Sequence, residues 1–150
     1  MMGYYDNPEA NAEAFTADGW FRTGDMGYMD EDGYVFITGR LKTVIVLENG
    51  KNIFPEEIEE YLSEIEEIAE VVVVGRPTET EKIDLVAIVY PDVTKFPEGT
   101  AAEDIAYTIE RLINAINKTL PTYKHIDKVE MRDTEFEKTT SKKIKRHLVK

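Results

Sequence analysis

The chain contains no cysteine and only two histidines, His125 and His147. Disulfides, thiolate metal ligands and a cysteine nucleophile are thereby excluded, and the imidazoles are too few for a histidine-rich metal site. No run of eighteen or more apolar residues occurs, so a membrane-spanning helix has no support. The opening residues MMGYYDNPEA have neither the basic start nor the apolar centre of a secretory signal, and the expected location is the cytoplasm. Also missing are a GxxxxGK[ST] phosphate loop, a GxGxxG turn and a Gly-x-Ser-x-Gly elbow. A self-contained catalytic site cannot be assembled from what remains. Any chemistry has to come from Lys, Arg, Asp, Glu and the backbone.

Positive charge is scarce too. The 150 residues carry a formal charge of −12, which argues against nucleic-acid binding, because neutralising phosphates takes clustered Lys and Arg. The deficit is uneven. Lys138, Lys142, Lys143, Lys145, Arg146 and Lys150 fall in the last thirteen residues with no acid after Lys138, leaving twelve Lys and Arg against all thirty acids in the rest. Such a basic end on an acidic body reads either as a solvated tail or as a site for one anion.

At this length one compact domain is the default. Residues 1–18 show no sustained period and resemble a poorly anchored terminus. The alternation over Tyr34–Thr38 and the β-branched run Thr43–Leu47 predict two strands separated by Gly39–Lys42, the second ending in a tight turn at Asn49-Gly50. Pro55 followed by Glu56 and Glu57 starts a helix to about Glu64, with Ile58, Tyr61, Leu62 and Ile65 at helical spacing. Val71–Val74 and Leu85–Tyr90 are buried-strand candidates close enough to pair antiparallel. Ile105, Ile109, Leu112, Ile113, Ile116 and Leu120 mark one face of a helix from about Ala102 to Thr119, stopped by Pro121. Asp127–Met131 suggests a last strand, and the basic end a final helical turn. Short links between strands favour an α+β fold: a small, mostly antiparallel sheet packed with two main helices and preceded by a β-hairpin-like segment.

Three pieces could carry chemistry. Thr23-Gly24-Asp25 places a carboxylate on a turn, where it can accept hydrogen bonds from the adjacent hydroxyls of a ribose or simply cap the turn. Arg40 after Gly39 offers a planar fork suited to phosphate or carboxylate, or is an ordinary surface residue. Lys143 lies in KTTSKKI, a stretch rich in hydroxyls and ammoniums with no acid to neutralise them.

Taken in order, GWFRTGD, then GYVFITGRLKTVIVLENGKNIFPEEIE, then KTTSKKIKR about eighty residues later, resemble the C-terminal portion of the AMP-forming acyl-CoA synthetases. That superfamily also includes luciferases and peptide-synthetase adenylation domains. The form VIVLENGKNIFPEEIE is most similar to its long-chain fatty acid CoA ligase branch. The resemblance implies a two-step ligase in which carboxylate and ATP give acyl-AMP and pyrophosphate, and CoA then displaces AMP. It implies that Asp25 binds the AMP ribose, that Arg40 lies near ribose and phosphate, and that Lys143 is the catalytic lysine. Lys42 would be the hinge, and Gly50 and Lys51 would border the CoA path. Residues 1–38 would be a short remnant closing a large N-terminal domain, 39–42 the hinge and 43–150 a mobile lid. Lys142 stands where the family usually has Gly. ATP, CoA and Mg²⁺ are implied for the complete enzyme with a fatty acid as substrate, none of them bound tightly to this chain, which is expected to be inactive without its large domain. The other readings are a different adenylate-forming enzyme, such as an aryl-CoA ligase or a peptide-synthetase adenylation domain, and a non-catalytic module docking its basic tail on an acidic partner.

Overall fold

The computed structural model describes residues 1–80 and 82–149; Lys150 of the basic run lies outside them. The chain divides into two compact units, Met1–Thr43 and Val44–Lys150.

The first unit starts with helix α1, Pro8–Ala14. Asn7 caps it by accepting from Ala10 N at 3.0 Å, and Pro8 occupies the first turn, where its missing N–H is no loss. The Asn11 side chain then accepts from Tyr4 N and donates to Tyr4 O at 3.0 Å. Residues 1–18 are therefore anchored by side-chain caps, a correction to the expected loose terminus: one short helix carries no period long enough to register. Strand β1 (Asp25–Met29) pairs antiparallel with β2 (Val35–Arg40) around a bulge at Met26/Gly27. A Cβ on Gly27 would run into the Phe36 carbonyl oxygen, so glycine is required there. The Asp30 carboxylate closes the turn by accepting from Asp32 N at 3.1 Å and Tyr34 N at 2.8 Å. Gly39 and Arg40, expected outside the strand, lie within it.

In the second unit the expected strand Thr43–Leu47 shrinks to β3 (Ile45–Val46), paired with β4 (Asn52–Ile53). The cause is local. Thr43 turns back on Arg40, its N–H and its hydroxyl both donating to the Arg40 carbonyl at 3.1 and 3.0 Å. The Asn49-Gly50 turn forms with Gly50 at φ +75°. Helix α2 (Pro55–Ser63) buries Pro55, Ile58 and Leu62. Strands β5 (Ile68–Pro77) and β6 (Ile83–Pro91) pair antiparallel, and β7 (Lys128–Met131) adds parallel to β6, a connection that needs the crossover through helix α3 (Ala102–Asn117). The result is an α+β architecture with three small, mostly antiparallel sheets.

Alternation along β5 and β6 separates two apolar layers. Val71, Val73, Leu85, Ala87 and Val89 pack with Ile58, Leu62, Ile109 and Ile113 of the helices. On the other face Val72, Val86 and Ile88 pack with Phe136, Ile144 and Val149. The basic C-terminal segment is thus a cover for one face of the sheet. Among the described residues no helix is long and apolar enough to cross a membrane.

Candidate functional site

Two clusters hold the candidate residues, one in each unit. In the first, strand register does the positioning: Asp25 lies directly opposite Arg40 in the β1–β2 ladder. Arg40 Nε meets Asp25 Oδ1 at 2.8 Å, and its Nη1 donates to the Thr23 carbonyl at 3.4 Å. Asp25 N donates to Thr23 Oγ1 at 3.1 Å, fixing the turn, while Gly24 takes φ +73°. Asp25 Oδ2 has no partner among the described residues, so the carboxylate keeps acceptor capacity. Thr23, Gly24, Arg40, Lys42, Tyr4 and Phe21 border a cleft of about 520 Å³ within this unit. Its size is in the range of small-molecule sites, and Arg22, Arg40 and Lys42 line it together with Glu13.

In the second unit Lys143 ends a tight hairpin. Lys138 and Ile144 form an isolated bridge, Thr139 N donates to Lys143 O at 2.8 Å, and Lys142 N donates to Thr139 O at 2.9 Å. Lys143 N adds a bond to Thr139 Oγ1 at 3.2 Å. Lys142, where the resemblance expects glycine, has φ +61°, the backbone conformation glycine adopts most readily.

The legs of this hairpin are not a solvated tail, which corrects that reading. Lys138 is paired with Glu70 and lies 3.2 Å from Glu135; Lys145 reaches Glu137 at 3.5 Å; Arg146 is paired with Glu59 and lies 3.8 Å from Glu56. Hydrogen bonds from Lys138 to Glu70 and Glu135 push its pKa above the ordinary lysine value. Lys142 and Lys143 are left exposed at the tip, with no ion-pair partner among the described residues. Three of the neutralising acids, Glu56, Glu59 and Glu70, sit on α2 and β5, too far along the chain for local inspection to find, whereas Glu135 and Glu137 lie just before Lys138.

Glu59 joins the hairpin to the domain. Its Oε1 accepts from Val73 N at 2.6 Å, and its Oε2 takes the Arg146 guanidinium. Burial raises its pKa above the ordinary carboxylate value, opposed by the Arg146 charge and by the hydrogen bonds from Val73 and Arg146. Neither Glu59 nor Arg146 was singled out by its sequence surroundings, since each sits in a run of like charges.

The loop holding Gly50 and Lys51 has an aromatic neighbour that sequence reasoning also missed. The Lys51 ammonium lies 3.9 Å from the centroid of the Tyr123 ring, and Lys124, which pairs with Glu57 at 2.6 Å, stands 5.9 Å from the same ring. Among the described residues no group of three or more His, Asp or Glu could hold a metal ion.

Residues 57–143, more than half of the chain, match the family described as the AMP-binding enzyme C-terminal domain. The chain belongs to that family. Relatives of this C-terminal domain include the long-chain-fatty-acid–CoA ligase of Bacillus subtilis, 52% identical over 77 residues covering 51% of this chain and 13% of that protein. The indoleacetate–CoA ligase of Aromatoleum aromaticum is 48% identical over 91 residues, covering 61% of the chain and 18% of that protein. Among solved structures, the o-succinylbenzoate CoA synthetase of Bacillus subtilis in complex with its acyl-adenylate intermediate matches all of the chain with a TM-score of 0.79 at 26% identity, using 28% of its own length. The matches to curated relatives span 12–22% of their length.

Proposed function

We propose that the chain works as the C-terminal portion of an AMP-forming acyl-CoA ligase, with a fatty acid as its acid substrate. In the first half-reaction an acyl carboxylate oxygen bonds to the α-phosphorus of ATP and pyrophosphate leaves. In the second, the sulfur of CoA bonds to the acyl carbon and AMP leaves. Asp25 accepts from the ribose hydroxyls, and Arg40, held on Asp25, stays near ribose and phosphate. Lys143 acts in the first step, its ammonium stabilising the charge that shifts between carboxylate and α-phosphate. Lys42 is the hinge, residues 1–38 close the large N-terminal domain, and residues 43–150 form the lid. Gly50 and Lys51 border the CoA path, with Tyr123 steadying Lys51. Mg²⁺ belongs with ATP on the large domain, and no step by these residues is routed through it. The reading carries the cytoplasm with it, the compartment that supplies ATP and CoA.

The observation that carries this proposal is the Lys143 ammonium, exposed with Lys142 at the tip of a hairpin whose leg cations, Lys138, Lys145 and Arg146, are neutralised. A positioned cation works through transition-state electrostatics, and removing one such donor costs on the order of 10²–10³ in rate. The glycine-favouring φ at Lys142 supports Lys143 as the reacting residue, because it aligns Lys142 with the glycine position. The long-chain relative favours a fatty acid, and the indoleacetate relative marks the aryl acids as the competing class. A module docking its tail on an acidic partner loses ground, since most of the cations it needs are already neutralised internally.

In the complete ligase, Lys143→Ala should lower acyl-adenylate formation by about 10²-fold and spare thioester formation from preformed acyl-AMP. Equal loss in both half-reactions refutes the assignment. The 150-residue chain alone should form no acyl-adenylate from ATP and a fatty acid.

A further inference from the structure

The turn carrying Gly50 and Lys51 is bonded internally and then fastened on both sides. Leu47 N donates to Lys51 O and Gly50 N to Leu47 O, both at 2.9 Å, and Lys51 N donates to Asn49 Oδ1 at 3.0 Å. These bonds make the turn one piece. Its orientation on the domain is a separate matter, settled by the side chains that flank Asn49-Gly50.

The first is Glu48, an exposed residue. Thr78 N donates to Lys82 O at 2.7 Å at the end of the β5–β6 ladder, so the next residue, Ile83, turns its N–H away from β5. Strand β7 begins at Lys128, opposite Val86, and does not reach Ile83. On this open edge Asp127, next to β7, accepts from Leu85 N at 2.9 Å. Ile83 N donates instead to the Glu48 carboxylate, 35 residues away in the chain. The second side chain is Lys51, whose ammonium lies 3.9 Å from the centroid of the Tyr123 ring. Tyr123 is a fixed post. It is half-buried against the main core, and Lys124 in the same short helical turn, Thr122–Lys124, is paired with Glu57 of α2 at 2.6 Å. One attachment would let the turn pivot, whereas two on separate elements fix it. Water can satisfy an edge N–H at the surface, so the fold does not require Glu48 there; what the bond adds is the hold on the turn.

We propose that Glu48 is a positioning residue for thioester formation, acting with Tyr123 to hold the Asn49-Gly50-Lys51 turn in the orientation that CoA meets. The inference rests on the reading above that Gly50 and Lys51 border the CoA path. A turn already held in its binding orientation does not have to be ordered by CoA, and the fraction of molecules in the competent arrangement scales the apparent affinity. Adenylate formation precedes CoA binding and draws on Lys143, not on this turn. Glu48 therefore bears on one half-reaction.

The test is the rate of thioester formation from preformed acyl-AMP by the complete ligase as CoA is varied. Glu48→Ala should raise the KM for CoA by about 3–10-fold, the effect of losing one solvent-accessible hydrogen bond, with kcat at saturating CoA unchanged. Glu48→Gln keeps an oxygen that accepts from Ile83 N and should raise it by less than about 2-fold. Tyr123→Leu should behave like Glu48→Ala, and Tyr123→Phe, which keeps a ring face for Lys51, like the parent. Adenylate formation should stay at the parental rate in all four, which also shows the lid folded, because Lys143 belongs to the same unit. The proposal is overturned if Glu48→Ala keeps the parental KM for CoA, if Glu48→Gln raises it as far as Glu48→Ala, if Tyr123→Phe matches Tyr123→Leu, or if adenylate formation falls along with thioester formation. Lys51→Ala in the same assay tells the two readings apart. If it raises the KM for CoA while Glu48→Ala does not, only the present inference fails; if it leaves that KM parental, the placing of CoA at this turn fails and the inference with it.

Discussion

Removing Arg146 should expose how far the hairpin depends on one ion pair. Glu59 is 15% exposed and Arg146 27%, so the pair lies between a surface bridge and a fully buried one. Breaking a fully buried pair by deleting one partner costs about 3–5 kcal/mol, and an exposed one at most about 1. Arg146→Ala leaves Glu59 with only the Val73 N–H as a partner, in a site already costly for a carboxylate. We expect a loss of about 2 kcal/mol at neutral pH, or roughly 4–8 °C in thermal midpoint for a chain of this size. The sign of the pH dependence follows from the raised pKa of Glu59. Between its unfolded value of 4.5 and its folded value the native state binds the extra proton, so stability falls as pH rises through that window. Deleting Arg146 removes two of the influences that lower the pKa, which widens the window. The loss caused by Arg146→Ala should therefore be full at neutral pH and shrink as pH is brought toward 4.5. Urea denaturation of the parent, Arg146→Ala, Glu59→Gln and the double variant measures this directly. In the Glu59→Gln background only the more distant Glu56, 3.8 Å from Arg146, loses a cation, so Arg146→Ala should cost less than about 1 kcal/mol. Equal losses in the two backgrounds, or a loss that grows on acidification, would refute the reasoning.

Two further substitutions probe what holds the second unit together. Asn117, 8% exposed, donates to Ile126 O and accepts from Ile126 N, both at 2.9 Å. Asn117→Ala strands both main-chain groups and should cost about 2–4 kcal/mol in urea denaturation; a loss below about 0.5 kcal/mol would mean water replaces both bonds. Phe136→Ala empties a site only 3% exposed beneath the basic segment and should cost about 3–5 kcal/mol. It should also speed amide exchange at Thr139 and Lys143, and unchanged exchange there would show that the hairpin does not depend on this packing.

The parts of the fold that depend on local period were open to reading in the residues. The Pro55 start of α2, the apolar stripe of α3 and the alternating valines of β5 each repeat over enough residues for burial to imprint a pattern. Helix α1 has too few residues for that, although Asn7-Pro8-Glu9 carried a capping signal that could have found it. Strand β1 was hidden because the bulge at Gly27 breaks its alternation. At the candidate sites, Asp25, Arg40 and Lys143 stood out through ordered motifs, whereas Tyr123, Glu59 and Arg146 did not.

The reason lies in how partners are chosen. A helix face reports burial within one element, but an ion pair such as Arg146 with Glu59 joins residues 87 apart, and Phe136 N reaches Glu70 across 66. Nothing local to Arg146 says which of thirty acids will meet it. The basic segment looked solvated because three of its five neutralising acids, Glu56, Glu59 and Glu70, are distant in sequence and adjacent in space. Once Lys138, Lys145 and Arg146 are assigned to their partners, the surplus at the tip is reduced to Lys142 and Lys143. The acidic body thus performs a selection that composition alone conceals: it absorbs the cations of the hairpin legs and leaves Lys142 and Lys143 exposed.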